Sequence, residues 1–253
     1  MRSYLCARTH DFVQKGTEKL RFDMSSISAE LITKIRAHVG RKPQAERRVF
    51  SSVNLDLDEV RPLKPGGRVD AVGVAVSTDG PKVFPVLLKS MESIPVPVLV
   101  AQHMPKSFTE SLAEWLAKET HLKVVEGYDC MPVESGMVVI LPGGYNNYLD
   151  KSRGKLILRV DTNPTTLVKP SANVLFKSIL DHCQHPIALI LTGMGNDGTE
   201  GAKEFVKRGY TVIVQEPLTC VVCGMPCSAI EAGAYTHVMT VEEMGRKLRE
   251  MCL

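Results

Sequence analysis

Residues Arg68 to Met91 read RVDAVGVAVSTDGPKVFPVLLKSM, and the reading of this stretch decides the fold. Val69 to Val76 is a run of small and β-branched residues with glycine at Gly73, the pattern of a strand buried on both faces and closely packed by its neighbours. Ser77-Thr78-Asp79-Gly80-Pro81 breaks the run, and apolar residues at Val83, Phe84, Leu87 and Leu88 predict a helix after it. A strand, a tight polar turn and a helix lift one hydroxyl above a sheet and aim a helix N-terminus beside it. Ser77 is therefore the first candidate for chemistry.

Downstream of this unit, strand and helix patterns alternate. Val96–Ala101, Met137–Leu141, Ile187–Leu191 and Tyr210–Gln215 read as further strands, and Leu156–Val160 as an edge strand. Ser107-Phe108-Thr109-Glu110 has capping-box spacing, and Phe108, Leu112, Trp115 and Leu116 give the helix it opens an apolar face. Helices are also predicted over Ala172–His182, Thr199–Arg208 and Ser228–Ala232, with a last one opened by Thr240-x-x-Glu243. The alternation predicts an α/β fold, a doubly wound, mostly parallel sheet with helices on both faces. Upstream, Ile27, Leu31, Ile35 and Val39 mark one amphipathic helix. Arg41 to Arg48 is basic and lacks apolar anchors, and Pro62, Pro65, Gly66 and Gly67 close the stretch. The expected organisation is a fragment over 1–40, a linker over 41–67 and one domain over 68–253.

Composition narrows the function. A net charge of +3 over 253 residues, with no Arg/Lys stripe interleaved with aromatics, argues against a nucleic-acid partner. MRSYLCARTHDFVQ has no apolar core of signal-peptide length, and no run reaches the ~18 residues of a membrane span. The expectation is a cytoplasmic protein without membrane insertion. The cysteines, Cys6, Cys130, Cys183, Cys220, Cys223, Cys227 and Cys252, are odd in number and unevenly spaced, which favours free thiols in a reducing compartment. Cys220, Cys223 and Cys227 with His237 could supply zinc ligands. A structural zinc site usually shows a second tightly spaced pair, so apolar core cysteines are the reading preferred. GVAVSTDG matches neither GxGxxG nor GxxxxGK[ST], and no cofactor phosphate site is expected.

Ser77, His103 and Asp197 each stand past the end of a predicted buried strand that runs into a helix. In an open parallel sheet such ends share one rim, where these folds place their crevice. A hydroxyl, an imidazole and a carboxylate are the parts of a nucleophilic triad: the ring takes the hydroxyl's proton, and the acid fixes the ring's tautomer. Turn amides after Ser77, near Thr78, could face a developing oxyanion. Each residue also has a structural reading. Ser77 can cap its helix, His103 can be a hydrogen-bonded structural residue, and Asp197 can serve the turn in GMGNDG.

Five blocks, VGVAVSTDGP, VAQHMPKSFTESLAEWL, KPSANVLFKSI, LTGMGNDGTEGA and CVVCGMPCSAIEAGA, together resemble the catalytic domain of the chemotaxis protein-glutamate methylesterases. The resemblance implies that Ser77, His103 and Asp197 form the family's triad and that Met194 lies by the oxyanion. It implies a cytoplasmic carboxyl-ester hydrolase acting on γ-glutamyl methyl esters of chemoreceptor helices, able also to deamidate glutamine, with no metal or organic cofactor. THDFVQKG and the helix after it are similar to the last strand and helix of a receiver domain, with Lys15 at the phosphate-contacting lysine and Gly16 where the pattern has proline. Without the aspartate-bearing part of a receiver, no phosphorylation switch is expected. Four positions depart from the family pattern: Asp79 replaces the first glycine of STGG, Asn146 a histidine, Lys169 an arginine and Asn173 an aspartate. Asp79, near the active rim, would raise the pKa of His103 or repel an acidic substrate. The changes at Asp79 and Asn173 leave a second reading, a receptor-binding adaptor without turnover, and a general esterase of small molecules is a third.

Overall fold

The structure, a computed structural model, describes residues 68–252. The expected receiver fragment and linker lie outside the described residues. Strand β1 (Ala71–Val76) is buried along its whole length. After it come α1 (Gly80–Met91), β2 (Val98–Gln102), α2 (Lys106–Glu119), β3 (Lys123–Glu126), β4 (Met131–Pro132) and β5 (Met137–Ile140). The chain continues through β6 (Asn146–Ser152), β7 (Lys155–Asp161), α3 (Ala172–His182), β8 (Pro186–Ile190), α4 (Thr199–Lys207) and β9 (Thr211–Gln215). It ends in α5 (Gly224–Glu231), β10 (His237–Met239) and α6 (Val241–Cys252).

The main sheet has the order β10-β9-β8-β1-β2-β5-β3, and every pairing in it is parallel. Alternation along β1 explains why both faces are apolar. Val72, Val74 and Val76 pack into a core with Phe84 and Leu87 of α1, Leu116 of α2 and Leu248 of α6. Ala71 and Ala75 face the other core, with Phe176 and Ile179 of α3, Phe205 of α4 and Met225 of α5. Gly73 points to this second face, where a β-carbon would lie 2.7 Å from the Ile179 side chain. The small residues of β1 thus let α3 settle onto the centre of the sheet. Phe84, Phe176 and Phe205 are fully buried, each contributing about 1.5–3 kcal/mol by removal from water. The doubly wound parallel fold expected from the sequence is present, and no helix among the described residues is long and apolar enough to cross a membrane.

Some local expectations are corrected. The segment 156–160 is the middle strand of a separate antiparallel sheet of order β4-β7-β6, not an edge. Its partner β6 carries polar residues that hid it from a pattern search. Ser107 does not cap α2: the helix starts at Lys106 behind an extended Pro105, without a side-chain cap. Leu112 and Leu116 are buried as expected, but Phe108 and Trp115 are 57% and 41% exposed. Helix α5 begins earlier than predicted, at Gly224. At α6 the capping box forms: the Glu243 amide donates to Thr240 Oγ1 at 3.3 Å, and the Thr240 amide to Glu243 Oε2 at 2.8 Å. Cys223 and Cys227 are joined in a disulfide, against the expectation of free thiols. The first turn of α5 brings these cysteines, four residues apart, onto one helix face. This bond removes two of the four candidate zinc ligands.

Candidate active site

Strand β1 lies between β8 and β2, where the sheet's strand order reverses direction, so the site sits at the switch point of the fold. Val76 and Gln102 are register partners at the ends of β1 and β2. Beyond them the His103 amide donates to Val76 O at 3.0 Å, and the Ser77 amide to Thr192 O at 3.0 Å. Ser77 and His103 therefore extend two strands that run about 4.8 Å apart. The buried Gln102 side chain ties the two turns together, its Nε2 donating to Ser77 O at 2.9 Å and to His103 O at 3.2 Å. Its Oε1, buried without a hydrogen bond, packs so close to Gly80 that a β-carbon there would lie 1.9 Å away. A side chain at Gly80 would displace the Gln102 carboxamide.

Ser77 is not the helix cap. Asp79 holds that position in α1, in a left-handed conformation (φ 70°) and without a side-chain cap bond. This is backbone that glycine adopts without strain, which gives a physical reason for glycine in the related STGG turn. The Asp79 carboxylate turns toward its own helix and pairs with Lys82 at 3.0 Å.

His103 and Asp197 are brought together, with Nε2 and Oδ2 at 2.8 Å and side chains only 10% and 13% exposed. Asp197 does not serve its own turn. Its Oδ1 accepts from Ser171 Oγ at 2.9 Å, the Asn173 amide at 3.3 Å and Asn173 Nδ2 at 2.9 Å. Its Oδ2 accepts also from the Ala172 amide at 2.6 Å. Burial opposes the charge most strongly, yet the hydrogen bonds from His103, Ala172 and Ser171 and the charge of His103 together outweigh it. They hold the carboxyl below its ordinary range. A carboxylate there requires the proton on Nε2, which leaves Nδ1 of the neutral ring as an acceptor. Among the described residues no hydrogen bond joins the Ser77 hydroxyl to His103.

The loop after β8 closes on Ser77. The Gly193 amide donates to Val222 O at 2.9 Å, and Gly193 O accepts from the Met225 amide at 2.8 Å. Met194 next to it is 55% exposed. A cleft of about 460 Å³ opens here, lined by His103, Asp197, Met194, Leu167, Val168 and Lys177 among others, though not by Ser77 or Thr78. Sequence reasoning missed Gln102 and Ser171, and it noted Asn173 only as a departure. Gln102 stands just past the predicted strand Val96–Ala101 and Ser171 just before the predicted helix Ala172–His182, and only the tertiary fold shows what they hold.

Residues 72–248 match the family model described as CheB methylesterase. The chain belongs to the CheB methylesterase family. A protein-glutamate methylesterase/protein-glutamine glutaminase of Lawsonia intracellularis is 31% identical over 94% of this chain and 70% of its own length. One from Saccharophagus degradans is 36% identical over 72% of this chain and 50% of its own length, so the chain spans from half to about 70% of these two relatives. The crystal structure of the Thermotoga maritima CheB methylesterase catalytic domain superposes with a TM-score of 0.69 at 36% identity, over 73% of this chain and 99% of that one. Membership places the protein in an enzyme family, the methylesterases and glutaminases of its relatives' names.

Proposed function

We propose that the protein is a serine hydrolase that removes methyl esters from glutamyl side chains on the cytoplasmic helices of chemoreceptors. Ser77 Oγ attacks the ester carbonyl carbon as its proton passes to His103 Nδ1. The carbonyl electrons move onto oxygen, and the tetrahedral intermediate collapses as the carbon–methoxy bond breaks. His103 returns the proton to the leaving oxygen, giving methanol and a Ser77 acyl-enzyme. Water, deprotonated by the same nitrogen, then releases the glutamate and restores Ser77. A glutamine side chain enters the same sequence with ammonia as leaving group. Asp197 holds the ring's tautomer and stabilises its cation. The Thr78 and Met194 amides face the oxyanion, an assignment supported by the absence of any hydrogen bond from either among the described residues.

The observation that carries this reading is the His103–Asp197 bond at 2.8 Å beside the switch-point serine. The relay requires a Ser77 rotamer that brings Oγ within hydrogen-bonding reach of His103 Nδ1. The test is methanol release from methylated receptor membranes. Ser77→Ala and His103→Ala should each abolish it, and an active-site serine probe should label Ser77 only while His103 is present. Parental turnover by Ser77→Ala would end the mechanism. Receptor binding without turnover or labelling would favour the adaptor, and faster turnover of short acyl esters than of receptor a general esterase.

A further inference from the structure

We propose that Asn173 is a positioning residue of this reaction, its carboxamide fixing Asp197 toward His103 while adding no charge to the pair. The inference rests on the function proposed above.

The amide's orientation follows from its two neighbours. Asn173 Oδ1 accepts from the Gly201 amide at 2.8 Å, in the first turn of α4. That contact requires the carbonyl oxygen and leaves Nδ2 to donate to Asp197 Oδ1 at 2.9 Å. Asn173 thus ties the N-terminal turn of α3 directly to that of α4 through Gly201, and with its other end holds the carboxylate of Asp197, which belongs to neither helix. A carboxylate offers about four lone-pair directions. Five donors crowd them, Ser171 Oγ, the Ala172 amide, the amide and Nδ2 of Asn173, and His103 Nε2, so rotation of Asp197 away from Nε2 breaks several bonds at once.

Charge decides why a carboxamide suits this position. The aspartate of the related pattern would set a second carboxylate against Asp197 at the distance where Nδ2 now donates. Two carboxylates that close cannot both ionise without strong cost. The site would then hold either a shared proton or a second negative charge beside His103, according to pH. With asparagine the count stays fixed: one anion, Asp197, facing one imidazole. Lys177, a further turn along α3, is the other charged side chain lining the cleft.

Asn173→Asp tests this directly. The variant is isosteric, keeps the acceptor for Gly201, and places its charge at a helix N-terminus, where anions are favoured. The acid limb of its kcat/KM profile should move to higher pH by about one unit, because the second carboxylate stabilises the His103 imidazolium. Asn173→Ala should lower kcat about tenfold by removing a donor to Asp197; because Asn173 also lines the cleft, the positioning role is read from kcat and from the His103 titration rather than from KM. The His103 titration, followed by NMR in Ser77→Ala protein and in Ser77→Ala/Asn173→Asp, reads the same effect without turnover. Superimposable titration curves would overturn the proposal. Parental methanol release by Ser77→Ala would instead overturn the function it rests on, and the NMR comparison would still judge Asn173.

Discussion

Gly193 approaches Ser77 so closely that a β-carbon on the glycine would lie 2.7 Å from the serine's own. The same atom would lie 2.5 Å from Met225 Sδ, so a side chain there presses on two neighbours at once. Gly193 is outside the positive-φ region, and the cost of a side chain there is steric alone.

Gly193→Ala should therefore push Ser77 off its place at the strand end. Displacements on the order of 1 Å at a reacting group cost about a hundredfold in rate, and overpacking a tight site costs about 1–3 kcal/mol. The expected outcome is a hundredfold slower labelling of Ser77 with a modest drop in melting temperature. Labelling at the parental rate would show that this contact does not set the nucleophile's position.

Asp197→Asn should lower kcat by about 10⁴, the scale of losing the correct imidazole tautomer in a triad. The replacement amide would also turn hydrogens toward donors now aimed at a carboxylate, so stability should fall as well. The pH dependence has a definite sign. The folded carboxyl titrates below its ordinary 3.8, so its contribution is complete above that value and is lost as pH falls through the lower folded one. Acid unfolding curves should consequently be steeper below pH 4 for the parent than for Asp197→Asn.

Asp79 sits at φ 70° in front of α1, a conformation costing a residue with a β-carbon roughly 1 kcal/mol or more. Its exposed partner Lys82 returns at most about 1 kcal/mol. Asp79→Gly should leave stability unchanged or raise it by up to about 1 kcal/mol, whereas Asp79→Ala, which keeps the strain and loses the ion pair, should lower it. Chemical denaturation of the three proteins checks the order. The carboxylate's turn toward Lys82 also means that Asp79→Gly should leave the acid limb of kcat/KM unmoved. A shift would mean that the charge is felt at His103.

The sequence made the sheet legible because its central strands are buried on both faces, and apolar runs such as Val72–Val76 and Ile187–Leu191 are short, rich in β-branched residues and followed by polar, glycine-containing turns, which separates them from buried helix. Strand ends then singled out Ser77, His103 and Asp197 as candidates without any knowledge of register, and the fold pairs two of them, His103 and Asp197. What stayed hidden depended on partners remote in the chain. The polar strand β6 is recognisable only beside β7. Ser171, Asn173 and Gln102 show their roles only once Asp197 and Ser77 are beside them. The Cys223–Cys227 disulfide was misjudged from parity and spacing, which say nothing of which thiols share a helix turn.

His237, on the outer strand β10, offers a pH test far from the chemistry. Its Nδ1 lies 2.8 Å from Thr236 Oγ1, while Nε2 is buried with no hydrogen-bond partner. Burial first, and the charge of Lys247 second, push the ring's pKa below its ordinary 6.5. The unfolded chain therefore binds this proton more readily than the folded one. The neutral ring's contribution to stability is present above pH 6.5 and is lost as pH falls from there through the lowered folded value. Unfolding free energy measured by denaturant from about pH 7.5 down to about pH 5 should decline for the parent more steeply than for His237→Gln. Parallel slopes would mean that water reaches Nε2 in solution and that the ring takes its proton as freely folded as unfolded.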